Sequence, residues 1–402
     1  MYATQSINEI FAPLGLHVDD IIQGAQSIKY ILNMPLDYKF QGKVRRAEKD
    51  IRYTLESVMG KEFTYGRENN YVYVETKSDV FRTVPFKDFE KQMQQNKLLL
   101  ALGTDTNGKK VYTSLEKAVH ILVGGTTGSG KSELLHTFIA SIITGKPYTN
   151  ATLLIIDPKS SEYTPYKNTK SVTLVTDMDI AVRCLNKTVE IMQERYAMLE
   201  KAGVKDIAAY NNPLKMNHII IVIDELADLI LEHPEVEKPI VRIAQKARAC
   251  GIHLIIGTQS PRRSVVTGLI AANMPTKIAL KTSDQIESRI ILNRKGAESL
   301  YGKGDMLYLG NGAFDTIRIQ AAYISEQEKI EIGYKYREES SQTNQEQPTR
   351  TNANTTQYQS NNYYAPNYKK KPGFFQKIKN VLNSEPHMTT SEFVANHYYN
   401  NM

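Results

Sequence analysis

Between Ile121 and Ala140 the chain reads ILVGGTTGSGKSELLHTFIA, and no other stretch constrains it as tightly. An apolar run ends in glycines, a Lys-Ser pair follows, and then apolar residues recur at helical spacing. The pattern G-x-x-x-x-G-K-[ST] is met by Gly125, Gly130, Lys131 and Ser132, with Thr126, Thr127, Gly128 and Ser129 between them. Such a loop wraps phosphates with its backbone N–H groups, which bulky side chains would obstruct, hence the glycines. The following helix points its positive N-terminus at the same anion. Lys131 is then expected at the β- and γ-phosphates and Ser132 on magnesium, so ATP and Mg2+ are the expected ligands. A glycine-rich turn without a ligand would not need the strand before it and the helix after it.

The same stretch sets the fold class. Apolar strands recur around it as HILVGG, ATLLIID, VTLV, HIIIVID, HLIIGTQ and KIALK. Helical stretches, including 179–202 and 236–249, separate several of them. Nearly continuous apolar strands alternating with helices argue for a parallel sheet covered on both faces, with some later strands antiparallel. Residues 1–95 differ: SIKYILN and NYVYVET have strand character, and Val44, Ile51 and Leu55 sit at helical spacing before Gly60. This reads as a small α+β domain without a chemical motif. Residues 96–335 are the expected nucleotide-binding domain. From 336 to 402 the chain is rich in Gln, Asn, Thr and Ser. That composition buries too little apolar area to offset its ordering entropy, so a disordered tail is expected.

Composition narrows the function classes. The two cysteines, Cys184 and Cys250, lack metal-ligand spacing and read as reduced thiols. No apolar run approaches the roughly 18 residues that span a bilayer, and MYATQSINEIF lacks the pattern of a signal peptide. The expected location is cytoplasmic. A net charge of +7 points to a polyanionic partner only if it is gathered on one face.

Two further elements complete the expected site. HIIIVIDELADLI ends a strand in Asp224 and Glu225. A carboxylate there can hold magnesium, assigned to Asp224, and its neighbour can polarise the attacking water, assigned to Glu225. Acidic pairs also begin helices, where they suit the dipole. In IIGTQSP, Gln259 follows another strand, either to sense the γ-phosphate or to cap a turn. Asp157 ends a third strand, either near the nucleotide or in the turn before Pro158. The eight histidines show no metal spacing.

Taken in order, ILVGGTTGSGKS, DPK, VIDELADLI, IAQKARACGIHLIIGTQ, TGLIAANMPTKIAL and ESRIILNRKGAESLYGKGDMLYLG resemble the motor region of the FtsK/SpoIIIE DNA translocases, from about Leu98 to Tyr323. Residues 1–95 are more weakly similar to the small α domain that precedes the motor. The resemblance implies a RecA-like P-loop NTPase fold, a homo-oligomeric and hexameric ring, and ATP-driven movement along double-stranded DNA. It also implies nucleotide sites between subunits with a basic residue from the neighbour, worth ~10³ to 10⁵ in rate. Where the family usually shows NxPTR this chain has NMPTK, so Lys277 carries the charge without the planar fork of arginine. Arg289 and Arg248 are the other trans-acting candidates. Family members often read TQRPS, but here TQSPRRS moves the basic residues to Arg262 and Arg263, candidates for DNA contact.

The winged-helix module that reads DNA sequence in chromosomal members finds no counterpart. Instead KKKPGFFQKIKNVLNS sets Phe374, Phe375, Ile378, Val381 and Leu382 on one helical face near 373–383, with Lys377 and Lys379 near the polar side. That is expected either as a helix for a membrane surface or protein partner, or as an unstructured basic tail. The leading expectation is a DNA-translocating ATPase encoded by a mobile element. The alternatives are a conjugation or DNA-packaging motor of the same superfamily, a type VII secretion-like ATPase moving protein, and a nucleotide-switched scaffold.

Overall fold

The computed structural model describes residues 2–33, 53–57, 60, 63–68, 71–93, 98–145, 151–159, 162–210, 216–337 and 378. The strands, in chain order, are β1 (Val18–Gln23), β2 (Ser27–Leu32), β3 (Phe63–Glu68), β4 (Tyr71–Lys77), β5 (Val84–Pro85), β6 (Leu99–Asp105), β7 (Lys110–Ser114) and β8 (Ile121–Gly124). They continue with β9 (Ala151–Ile156), β10 (Val172–Val175), β11 (His218–Ile223), β12 (Ile252–Thr258), β13 (Thr276–Leu280), β14 (Asp305–Leu309) and β15 (Ile317–Tyr323).

The larger sheet runs β10-β9-β11-β12-β8-β13-β14-β15-β6-β7, with β5 beside β15. From β10 to β13 every pairing is parallel; from β13 to β7 the pairings are antiparallel. The expected α/β fold with a mostly parallel sheet is therefore present, with its phosphate-loop strand β8 between β12 and β13.

Side-chain alternation explains the continuous apolar strands. On β11, Ile219, Ile221 and Ile223 enter one core with Leu254 and Ile256, while Ile220 and Val222 enter the other with Ile255 and Leu153. The first core is closed by helices Met178–Lys201, Leu226–Glu232 and Glu237–Lys246. The second is closed by helices Lys131–Gly145, Lys87–Met93 and Glu326–Lys335. Burying each such aliphatic side chain stabilises by about 1.5–3 kcal/mol, so the sheet is rigid where its strand ends carry the site.

The N-terminal sheet is antiparallel, ordered β1-β2-β4-β3, and shares a core with helix Tyr2–Phe11 through Ile7, Phe11, Leu32 and Val74. Leu55 is buried there and residues 53–57 are helical; the remainder of the helix expected before Gly60 lies outside the described residues. Phe86, Phe89 and Met93, by contrast, pack in the second core of the larger sheet. The two sheets are tied by Arg318 of β15, which holds Asp305 with two hydrogen bonds (3.0 and 2.8 Å) and lies 3.5 Å from Glu75 of β4. The polar tail and basic helix expected over 336–402 fall outside the described residues, apart from 336, 337 and Ile378, which is helical and buried in the first core. Among the described residues no helix is long and apolar enough to cross a membrane.

Candidate active site

β8 ends at Gly124, and the chain turns through Gly125–Gly130 into the helix that starts at Lys131. The loop is pinned by its neighbours. Gly125 N–H donates to the Thr258 carbonyl (3.2 Å) and Thr126 N–H to that of Lys281 (2.9 Å). Gly128 and Gly130 have φ of 75° and 103°, which side chains resist. A Cβ on Gly130 would also stand 2.6 Å from Gly304 N.

Lys131 is buried, and its ammonium donates to the carbonyl (2.6 Å) and carboxylate (2.9 Å) of Asp224, with Glu225 3.9 Å away. Asp224 Oδ1 also accepts from the Tyr163 hydroxyl at 2.8 Å. Burial, reinforced by Asp224, pushes the Tyr163 hydroxyl well above its ordinary range, so it stays a donor. Asp224 Oδ2 has no partner among the described residues, and neither does the Ser132 hydroxyl, which lines the adjoining cavity. An open carboxylate oxygen and an open hydroxyl are the oxygen donors magnesium takes, so the two residues fit that ion.

Glu225 both begins a helix and belongs to the site. It caps Leu226–Glu232, its Oε1 accepting from Ala227 N–H (3.3 Å) and from the Thr258 hydroxyl (2.8 Å). Its Oε2 accepts from Gln259 N–H at 2.8 Å. The Gln259 side chain in turn accepts from Thr127 Oγ1 at 2.8 Å. Gln259 thus joins the phosphate loop to the carboxylate. Asp157 is buried beyond β9 and accepts from Lys159 N–H (3.1 Å), a turn contact, while its Oδ2 is buried without a partner among the described residues.

A cavity of about 410 Å³ opens over the loop, within the range of small-molecule sites. Of the residues singled out in the sequence, Thr126, Thr127, Gly128, Gly130, Lys131, Ser132 and Gln259 line it, while Gly125 and Ser129 of the same loop do not. The rest of the lining was not legible there: Phe81, Thr83, Val84, Lys303, Gly304, Gln320 and Tyr323 reach it through the pairing of β5 with β15 and the turn before β14. Tyr163 was also missed. The only local signal was the run of glycines around Lys303.

The basic candidates divide. Arg263, Lys277 and Arg289 line a second cavity of about 500 Å³. Lys277 is buried, has no ion pair among the described residues, and burial lowers its pKa. Arg248 and Arg262 are exposed and line neither cavity.

A family model described as FtsK/SpoIIIE family matches residues 86–217 and 212–263. The chain is 39% identical over 298 residues to DNA translocase SftA of Bacillus subtilis, an alignment covering 71% of this chain and 31% of SftA. It is 35% identical over 358 residues to DNA translocase FtsK of Haemophilus influenzae, covering 80% of this chain and 67% of that protein. The chain therefore spans about a third of the first relative and two thirds of the second. Among solved structures, the pCW3 conjugation coupling protein TcpA, in its monomer form with ATPγS, superposes with a TM-score of 0.59 at 23% identity, over 83% of this chain and 99% of that one. The cytoplasmic domain of the type VII secretion ATPase EccC of Thermomonospora curvata gives 0.54 at 22% identity, over 60% and 31%. At these identities the structures share the fold alone. The extent and identity of the match to the Haemophilus translocase place the remaining question within one group: the chain belongs to the FtsK/SpoIIIE family.

Proposed function

We propose that this chain is an ATPase that moves double-stranded DNA as a homo-oligomeric, hexameric ring. The observation that carries the reading is the continuous chain of contacts from Thr127 through Gln259 to Glu225, beside Lys131 on Asp224, under a cavity of nucleotide size. The triphosphate lies along 125–130, where backbone N–H groups and the helix N-terminus meet its charge. Lys131 leaves Asp224 for the β- and γ-phosphates. Ser132 and Asp224 would hold magnesium, which would supply charge neutralisation at the phosphate oxygens. Glu225 takes the proton of the attacking water. Gln259, bonded to both loop and base, changes partners when the γ-phosphate is lost.

The trans-acting cation in this reading is one of Lys277, Arg289 and Arg248, of which the first two line one cavity with Arg263. Arg262 and Arg263 face DNA. The proposed division of labour is a small domain over 1–95, the motor over 96–335, and a tail over 336–402 that docks on a membrane surface or protein. The family relatives named DNA translocases favour DNA over protein as the load.

Steady-state ATP hydrolysis with and without duplex DNA tests the proposal. DNA should stimulate turnover without sequence preference. Its affinity should fall ~10³-fold or more between about 50 and 200 mM salt if six or more phosphates are neutralised. Turnover indifferent to DNA would refute the reading.

A further inference from the structure

Lys303 and Gly304 of the turn Gly302–Lys303–Gly304 line the nucleotide cavity, and all three residues of the turn have positive φ (83°, 50° and 88°). Two are glycines, for which this is free; the third is a lysine, for which it is strained. Much of the surrounding structure is spent on holding it. The Gln26 side-chain amide, from the turn between β1 and β2, donates to the carbonyls of Gly302 (2.9 Å) and Lys303 (3.3 Å) and to Gln320 Oε1 (2.7 Å). The Gln320 amide donates to the same Lys303 carbonyl at 2.8 Å. Gly304 N–H then donates to Ser129 O of the phosphate loop at 2.7 Å. The backbone of an exposed lysine is thereby held at the cavity, and among the described residues its side chain has no carboxylate partner.

We propose that Lys303 is a nucleotide-binding residue whose ammonium meets the α- and β-phosphates. This rests on the cavity being the ATP site. The turn abuts Gly130, at the start of the helix, whereas in the proposed mode the γ-phosphate points to the bonded pair Thr127 and Gln259. The charge therefore serves ADP and ATP alike. Strain accepted at a lysine where glycine would be relaxed is accounted for by that charge.

The test measures affinity of the full chain for ADP and ATPγS with magnesium, by calorimetry, for wild type and for Lys303→Met, Lys303→Arg and Lys303→Gly. Lys303→Met should weaken both nucleotides roughly tenfold at low salt, with the gap narrowing as salt screens the charge. Lys303→Arg should bind nearly as wild type. Lys303→Gly should lose affinity as Lys303→Met does without lowering the thermal midpoint, which separates lost charge from a damaged fold. Wild-type affinity in Lys303→Met, or a loss confined to ATPγS, would overturn the assignment while leaving the ATP site intact. Failure of the wild type to bind either nucleotide would overturn the ATP-site reading and this assignment with it.

Discussion

Replacing Glu225 by glutamine separates its two roles, because its partners are known individually. Oε2 accepts from Gln259 N–H at 2.8 Å, so the amide oxygen takes that position. The new NH2 then replaces Oε1, facing the Thr258 hydroxyl at 2.8 Å and Ala227 N–H at 3.3 Å. A hydroxyl can accept as well as donate, so only the longer Ala227 contact is lost outright. One long bond to a helix cap costs about 1 kcal/mol, or roughly 2–4 °C in thermal midpoint for a domain of this size. Removing a general base costs ~10²–10⁴ in rate, about 2.7–5.4 kcal/mol in the barrier. Lys131 also loses a negative neighbour 3.9 Å away, so ATP affinity should hold or tighten. Steady-state turnover, nucleotide titration and a thermal melt on the same preparation read the three quantities separately. Turnover within about tenfold of wild type in a variant that binds ATP normally would remove Glu225 from the chemistry.

Lys131→Ala should abolish tight triphosphate binding and also destabilise the fold by about 3 kcal/mol, because it strands the buried Asp224 carboxylate with only the Tyr163 hydroxyl; a denaturation midpoint equal to wild type would contradict this. Burial pushes His120 down to about 3, with His253 adding to the effect, and His253 down to about 4. Both stay neutral in the folded state while the unfolded chain takes up protons below about 6.5. Their contribution is therefore complete above that pH and falls toward pH 4 by on the order of 1 kcal/mol per pH unit for each histidine. Urea midpoints measured from about pH 7 down to about pH 5 should decline, and less so in His253→Gln; a flat profile would show that these rings already ionise in the fold.

The phosphate loop, the strand ends at Asp224, Glu225 and Gln259, and the two-faced sheet were legible in the chain itself because each depends on local chemistry. A loop that cradles phosphate needs glycine within a few residues, and a strand buried on both faces needs an unbroken apolar run. The same locality explains what could not be read. Glu225 was open to two readings, catalytic or capping; its bond from Ala227 N–H shows the cap, while its bonds from Thr258 and Gln259, at the end of the neighbouring strand, set its carboxylate beside the phosphate loop, where the proposed base would have to be. Tyr163 reaches Asp224 across 61 residues, and Gln26 reaches Gly302 across 276. Neither separation leaves a periodic or spacing signal. The basic residues could be singled out only by their charge and by their places in family-like motifs; the fold put Arg263, Lys277 and Arg289 around one cavity and left Arg248 outside it. Charge is a property of a residue, but a cavity wall belongs to strands paired across the sheet, and pairing between distant segments is decided by packing that no single segment encodes.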